Sequence, residues 1–271
     1  MKSMPNTDTI NDQQIATYQE QGAVLLPGLF KDWTEILRAG IERNLNEPGP
    51  HAAENLKEGD YGRFFDDYCN WNRIPEFTYF VKNSPAAAVA ARLMGSKQVQ
   101  VFHDHVLIKE PGTSNPTPWH QDSPYYFVDG EQTLSFWVPV DPVKEASLRL
   151  IAKSHTWEKP VLPTRWLSQE DFYHSNDEYL PVPDPDAEPG KFSVLEWPME
   201  PGDAVAFHYK TVHGARGNLA TTRRRAFALR FVGDDARYVE RAGPTSPPFT
   251  GHGMNAGERL REDWFPVIWQ E

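Results

Sequence analysis

At 271 residues the chain is long enough to bury a substantial core and to form one large domain or two small ones. Its formal net charge is −11, and apart from the short run Arg223, Arg224, Arg225 its basic residues are scattered, which argues against a nucleic-acid partner. The single cysteine, Cys69, rules out an intrachain disulfide and any cysteine cluster for zinc or an iron–sulfur centre, so a reducing compartment fits. The polar stretch Met1 to Gln14 lacks the apolar centre of a signal peptide, and no apolar run approaches membrane-spanning length. The expectation is a soluble, cytoplasmic protein, monomer or homodimer, with no membrane contact. Its 24 prolines and 9 tryptophans suggest many loops around an aromatic interior.

Thr9 to Gly22 reads as a short amphipathic helix, with Asn11 or Asp12 as N-cap and Gly22 as the stop. A strand follows from Ala23 to Leu29. Trp33, Ile36, Leu37 and Ile41 recur at helical spacing and predict a second helix over Asp32 to Asn44. The alanine-rich stretch from Ser84, a candidate N-cap, to Gly95 predicts a third. After Gly95 the apolar runs become short and are punctuated by Gly, Pro or Asp, the pattern of a β sandwich or barrel. Val99 to Ile108 begins it, and Leu134 to Val140, Leu148 to Ala152, Ala204 to Tyr209 and Ala226 to Val232 are its clearest strands. Glu170 to Gly190 forms a long excursion whose Pro- and Asp-rich second half, Pro181 to Gly190, is a solvated loop. It reads equally as a lid or as a surface insertion. One domain over 1–271 with a helical N-terminal flank is the expected organisation.

The sharpest local feature is Trp119-His120-Gln121-Asp122. On extended backbone, positions i and i+2 share a face, so His120 and Asp122 can offer an imidazole and a carboxylate to one ion. His213, expected at the end of a strand roughly ninety residues later, is the candidate third ligand. Two imidazoles and one carboxylate on one face form the facial triad of non-haem Fe(II) oxygenases, which leaves the opposite face open. His103 and His105 flank Asp104 on one strand face and imitate the pattern, but nothing downstream completes a second triad, and a structural or supporting role is expected. His155 belongs to a turn, and His208 lies too far along its strand to join His213. Tyr125, Tyr126 and Trp166 are candidates for lining a substrate pocket, with packing as the commoner role.

The order His-x-Asp, several strands, His-Gly, then an arginine eleven residues on resembles the phytanoyl-CoA dioxygenase family of Fe(II)/2-oxoglutarate oxygenases. The resemblance runs from Tyr18-Gln19-Glu20-Gln21-Gly22 through Lys109-Glu110-Pro111-Gly112 and Thr117 to Asp122. It continues in Ser135-Phe136-Trp137-Val138-Pro139-Val140-Asp141-Pro142, Ser154-His155 and Gly202-Asp203, and ends with His213-Gly214, Asn218 and Arg224-Arg225-Ala226. It implies a mainly β fold with flanking helices, a double-stranded β-helix or jelly roll of the cupin-like barrel kind, with metal at its mouth. It implies that His120, Asp122 and His213 bind Fe(II), that 2-oxoglutarate and O2 are co-substrates, and that Arg224 pairs with the distal carboxylate of 2-oxoglutarate. Trp137 matches a tryptophan near that co-substrate, or is simply core.

Arg223 and Arg225 compete with Arg224 for the anchoring role. If Arg224 faces inward, Ala226 and Ala228 share its face and leave room, while Arg225, Phe227, Leu229 and Phe231 share the other. Relatives that halogenate lack the carboxylate ligand, so Asp122 favours hydroxylation, releasing succinate and CO2, on a small organic molecule. Desaturation or epoxidation, and a non-redox metal-binding cupin-like protein, stay open. Two segments depart from the family pattern: Glu145-Ala146-Ser147-Leu148 replaces a glycine-containing turn, and Ile151 to His155 lacks Pro-Gly before Ser-His.

Overall fold

A capping box starts the first helix. The Asn11 side chain accepts from the Gln14 N–H and the Gln14 side chain accepts from the Asn11 N–H, each at 2.9 Å. In this computed structural model, which describes residues 9–271 except 57, 58, 60, 145–147, 167, 169, 175 and 176, helix α1 spans Asp12–Gln21. Of the two candidate caps, Asn11 is the one used. Gly22 stops the helix at φ 76°, and a Cβ there would also lie 2.3 Å from His155 and 2.7 Å from Thr211, so the position needs glycine twice over.

The second helix begins as a 3-10 turn over Lys31–Trp33 and continues as α2, Thr34–Asn46, burying Leu37 and Ile41. The third expected helix is α4, Ala86–Met94, stopped at Gly95 as expected. Its N-cap is Pro85 rather than Ser84, which instead ends α3, Pro75–Asn83, while its hydroxyl accepts from the Ala86 N–H at 3.3 Å. Pro75 supplies the preset φ of a first helical turn, and Phe77, Phe80 and Val81 recur on the buried side, so α3 is legible once that proline is taken as a start.

Fourteen strands run through the described residues. They are β1 Ala23–Leu26, β2 Ala53–Glu54, β3 Phe64–Tyr68, β4 Gln98–Lys109, β5 Thr117–His120, β6 Val128–Asp129 and β7 Thr133–Pro139. Then come β8 Leu148–Ile151, β9 Val194–Glu196, β10 Ala204–Phe207, β11 His213–Ala215, β12 Arg224–Val232, β13 Arg237–Tyr238 and β14 Val267–Gln270. Strands β1, β8 and β10 end earlier than expected, whereas β4 and β12 are longer. The main sheet runs β1-β10-β7-β12-β4-β3-β2, with β14 added on β4, and a second sheet runs β5-β11-β8-β9. The fold is mainly β, a jelly roll with flanking helices. The unusual turn at Glu145–Ser147 lies outside the described residues.

Alternation along β12 divides the core in two. Phe227, Leu229 and Phe231 pack into the cluster shared with the helices, where the Phe227 ring lies 4.5 Å from that of Phe77. Ala226 and Ala228 point the other way, into a cluster holding residues of both sheets, among them Trp137, Leu148 and Leu150. The side chains that matter for chemistry lie on this inner face.

Candidate active site

Two strand ends and one turn assemble the site. His213 opens β11 and is paired in register with His120, the last residue of β5. This corrects the expectation that His213 ends a strand: β10 stops at Phe207, and the chain crosses to the second sheet before His213. The backbone at Asp122 is also not extended, since φ −70° and ψ −41° begin a 3-10 turn over Ser123–Tyr125. The turn is held where the Asp122 and Ser123 N–H groups both donate to the Tyr209 carbonyl, at 3.0 and 3.1 Å.

The result brings His120, Asp122 and His213 together, all buried, with one ligating atom of each within 4.8 Å of the others. Asp122 Oδ1 lies 3.9 Å from both His120 Nε2 and His213 Nε2. Each imidazole is oriented from behind by a backbone carbonyl: His120 Nδ1–H donates to Pro118 at 2.8 Å and His213 Nδ1–H to Thr211 at 2.9 Å. A carbonyl can only accept, so both rings carry their proton on Nδ1 and turn a lone pair on Nε2 toward Asp122. Such a set of two neutral imidazoles and one carboxylate suits a divalent first-row metal.

Electrostatics keep the donors in their ligating forms. Burial, followed by the neighbouring His213, pulls His120 down to about 3, and burial lowers His213 as well. Burial pushes the Asp122 carboxyl up, but Arg230 first, then His213 and His120, outweigh it and hold it well below the usual range. Arg230 Nε donates to Asp122 Oδ2 at 3.2 Å, and the Ser135 hydroxyl donates to the same oxygen at 3.1 Å. Sequence reasoning missed both. Arg230 had a signal, because it continues the inward alternation of Arg224, Ala226 and Ala228 as a charge within an apolar strand.

The three consecutive arginines separate by face. Arg225 donates to Asp141 and to Glu42 on α2, and Arg223 bonds Glu110, so both look outward. Arg224 is buried on the inner face, its guanidinium 5.6 Å from the centre of the Trp137 ring, and burial lowers its pKa to about 10. A narrow cleft bordered by Trp137, Ala228 and Leu148 connects Arg224 to His120 and His213. Lys109, opposite Arg224 in register and wholly buried, is occupied by the carbonyls of Asn115 and Arg216 at 2.9 and 3.1 Å.

On the other side of the triad lies a cavity of about 280 Å³. Tyr125, Tyr126 and Trp166 line it, and Phe172 enters from the long excursion, which is pinned where Arg149 donates to both oxygens of Asp186 at 2.7 and 2.8 Å. His103 and His105 face this cavity while Asp104 turns away and accepts the Asn70 and Trp71 N–H groups, each at 2.7 Å. His155 sits in a 3-10 turn, its ring 5.7 Å from that of His208, and both lie away from the triad.

Residues 18–226 match the family model described as phytanoyl-CoA dioxygenase (PhyH). The chain belongs to the phytanoyl-CoA dioxygenase family. A curated relative in this family, a probable phytanoyl-CoA dioxygenase of Caenorhabditis elegans, is 26% identical over 220 residues, covering 79% of this chain; the chain spans 66% of that relative's length. Among solved structures, the non-heme alpha ketoglutarate dependent carbocyclase SnoK from nogalamycin biosynthesis matches with TM-score 0.74 and 23% identity, over 97% of this chain and 98% of that one. The epimerase SnoN, in complex with Fe3+, alpha ketoglutarate and nogalamycin RO, matches with TM-score 0.75 and 21% identity, over 95% and 98%. These likenesses bear out the jelly-roll expectation. Among the described residues, no helix is long and apolar enough to cross a membrane.

Proposed function

We propose that this protein is an Fe(II)- and 2-oxoglutarate-dependent oxygenase that hydroxylates an aliphatic carbon of a small organic molecule, with release of succinate and CO2. The observation that carries the reading is the placement of the buried Arg224 guanidinium along one cleft from two imidazole lone pairs and a carboxylate. His120, Asp122 and His213 would hold the iron, leaving one face of it open. Arg224, bounded by the Trp137 ring, would clamp the distal carboxylate of 2-oxoglutarate, and Ala228 leaves the space between. When bound, iron and co-substrate supply the activation of O2 that side chains alone cannot perform. The chain's own residues do the rest. Nδ1–H bonds fix both imidazoles, Arg230 and Ser135 fix Asp122, and aromatic side chains line the substrate side. The carboxylate ligand favours hydroxylation over halogenation.

A second outcome at the same centre has support of its own: the similar structures include a carbocyclase and an epimerase. Ring closure or epimerisation would leave the ligands unchanged and is separated from hydroxylation by product analysis. The protein is read as one domain over 1–271, acting in the cytoplasm as a monomer or homodimer.

The test is an anaerobic absorption titration of metal-free protein with Fe(II), then 2-oxoglutarate. A visible charge-transfer band that requires both additions, is absent in His213→Ala and needs at least tenfold more 2-oxoglutarate in Arg224→Ala is the expected result. No band in the iron-loaded wild type would overturn the oxygenase reading in favour of a non-redox metal-binding protein.

A further inference from the structure

On the substrate side of the triad, one polar pair stands apart from the aromatic lining. His105, on β4, and Asp66, diagonal to it on β3 where it pairs with Leu107, meet with Nε2 and Oδ2 2.7 Å apart, and both are buried. The second carboxylate oxygen of Asp66 accepts from the Asn55 side-chain amide, so the carboxylate is fixed at both ends. A carboxylate at this distance takes the Nε2–H of the ring, which leaves Nδ1 as the other polar atom of His105, carrying a lone pair. His105 lines both the 280 Å³ cavity and the narrow cleft of Arg224, as do His120, Trp166 and Arg230. It therefore stands where a substrate held beside the iron ligands would be touched.

The rings around it give the rest of the recognition. Trp166 lies nearly parallel to His105, 5.8 Å between ring centres at 21°, and also packs edge-on against His120 at 5.2 Å. Tyr68 meets His105 edge-on at 5.4 Å and carries His51 stacked on its other side at 4.6 Å and 6°. Flat apolar faces favour a flat ligand. The charge of the lining suits an uncharged ligand better than an acyl-CoA inside this cavity. The phosphates of an acyl-CoA ask for several cations, whereas the arginines lining the cavity among the described residues are Arg165, exposed at its edge, and Arg230, committed to Asp122. The volume also lies just below the roughly 300–1,000 Å³ typical of ligand sites.

Resting on the oxygenase reading of the same site, we infer that Asp66 and His105 form a substrate-selecting dyad for an uncharged, planar ring compound bearing a hydroxyl group, whose O–H donates to His105 Nδ1. The dyad positions the ring against Trp166 with an aliphatic carbon carried by that ring toward the iron ligands. A matched ether, which cannot donate, leaves Nδ1 unpaired, and a carboxylate is repelled by it; rejection by an unpaired buried polar group is the stronger form of selectivity.

The experiment is anaerobic calorimetric titration of the Fe(II)- and 2-oxoglutarate-loaded protein with 2-naphthol, 2-methoxynaphthalene and 2-naphthoate. The expected result is that 2-naphthol binds at least tenfold more tightly than its methyl ether or the carboxylate. In His105→Phe, which keeps a ring beside Trp166, naphthol and ether should bind alike. In Asp66→Asn, whose amide can donate to Nε2 and turn Nδ1 into a donor, the ratio of naphthol to ether should fall at least fivefold. A residue serving only to pack the strand would not move that ratio. Equal binding of naphthol and ether to the wild type, no binding of any probe, or a preference that survives in His105→Phe would each overturn the dyad. If the charge-transfer band is intact in the same sample, the failure belongs to the dyad alone; if the band is missing, it belongs to the oxygenase reading.

Discussion

Asp122 carries its negative charge with only 3% of its surface exposed, so its partners decide whether the site exists. Arg230, itself 5% exposed, supplies the compensating charge. Removing one member of a buried pair leaves the other uncompensated, at a cost of about 3–5 kcal/mol. Arg230→Met is therefore expected to lower stability by that order in chemical denaturation and to weaken Fe(II) binding by roughly 10- to 100-fold, the usual loss when a group supporting a metal ligand is removed. Unchanged iron affinity in a folded variant would show that Ser135 alone suffices to hold the carboxylate.

Acid gives a second test at the same scale. The folded pKa of His120, about 3, lies below its unfolded value near 6.5, so on acidification the unfolded chain takes the proton first. The stability contributed by neutral His120 is full above pH 6.5 and is lost between about 6.5 and 3, at up to roughly 1.4 kcal/mol per pH unit. Thermal melts of metal-free protein should fall across that window. Proton competition at His120, in contrast, should contribute little loss of iron affinity between pH 7.5 and 5, because it begins only near the folded pKa of that ring. A tenfold loss per unit starting at 6.5, read by competition with a coloured chelator, would mean that the ring is not held neutral.

Among the elements, β12 does most to define the site, since its alternation sends aromatic side chains toward the helices and Arg224, Ala226, Ala228 and Arg230 inward. Ala228 borders the cleft between Arg224 and the triad, and its small side chain is what keeps that cleft open. Ala228→Leu is expected to cost about 1–3 kcal/mol by overpacking and to raise the 2-oxoglutarate concentration needed for half-maximal band formation by at least tenfold. Normal co-substrate affinity would imply that 2-oxoglutarate takes another path. The alternation is legible in the sequence, where the small residues two and four positions on distinguish Arg224 from Arg223 and Arg225. Helix α3 is harder to read there, because Pro75 looks like a breaker until it is placed in a first turn, where it helps.

At the scale of the molecule, the helical flank and the main sheet share one core, and Phe227 on β12 joins them through contacts with Phe77 and Phe80 at 4.5 and 5.8 Å. Phe227→Ala should cost about 3–5 kcal/mol. A shift of that size in the denaturation midpoint, with an unchanged slope, would show the flank and sheet unfolding together. A smaller first transition would separate them.

What the sequence determined by itself is what depends on near neighbours in the chain: strand alternation, a polar cap at Asn11 or Asp12, the helix stop at Gly22, and the closeness of His120 and Asp122 as ligand-type side chains. The tertiary structure decided what depends on distant strands being brought into register. It set His213 across from His120, ended β5 so that Asp122 turns rather than continues, and put Arg230 of β12 and Ser135 of β7 behind one carboxylate. It also joined Asp66 to His105 across two strands. The sequence shows His213 through the family order and Arg230 through its inward alternation, but not which partner each meets, because a hydrogen bond between strands records only the final register, and that register is chosen by burial of the whole inner face.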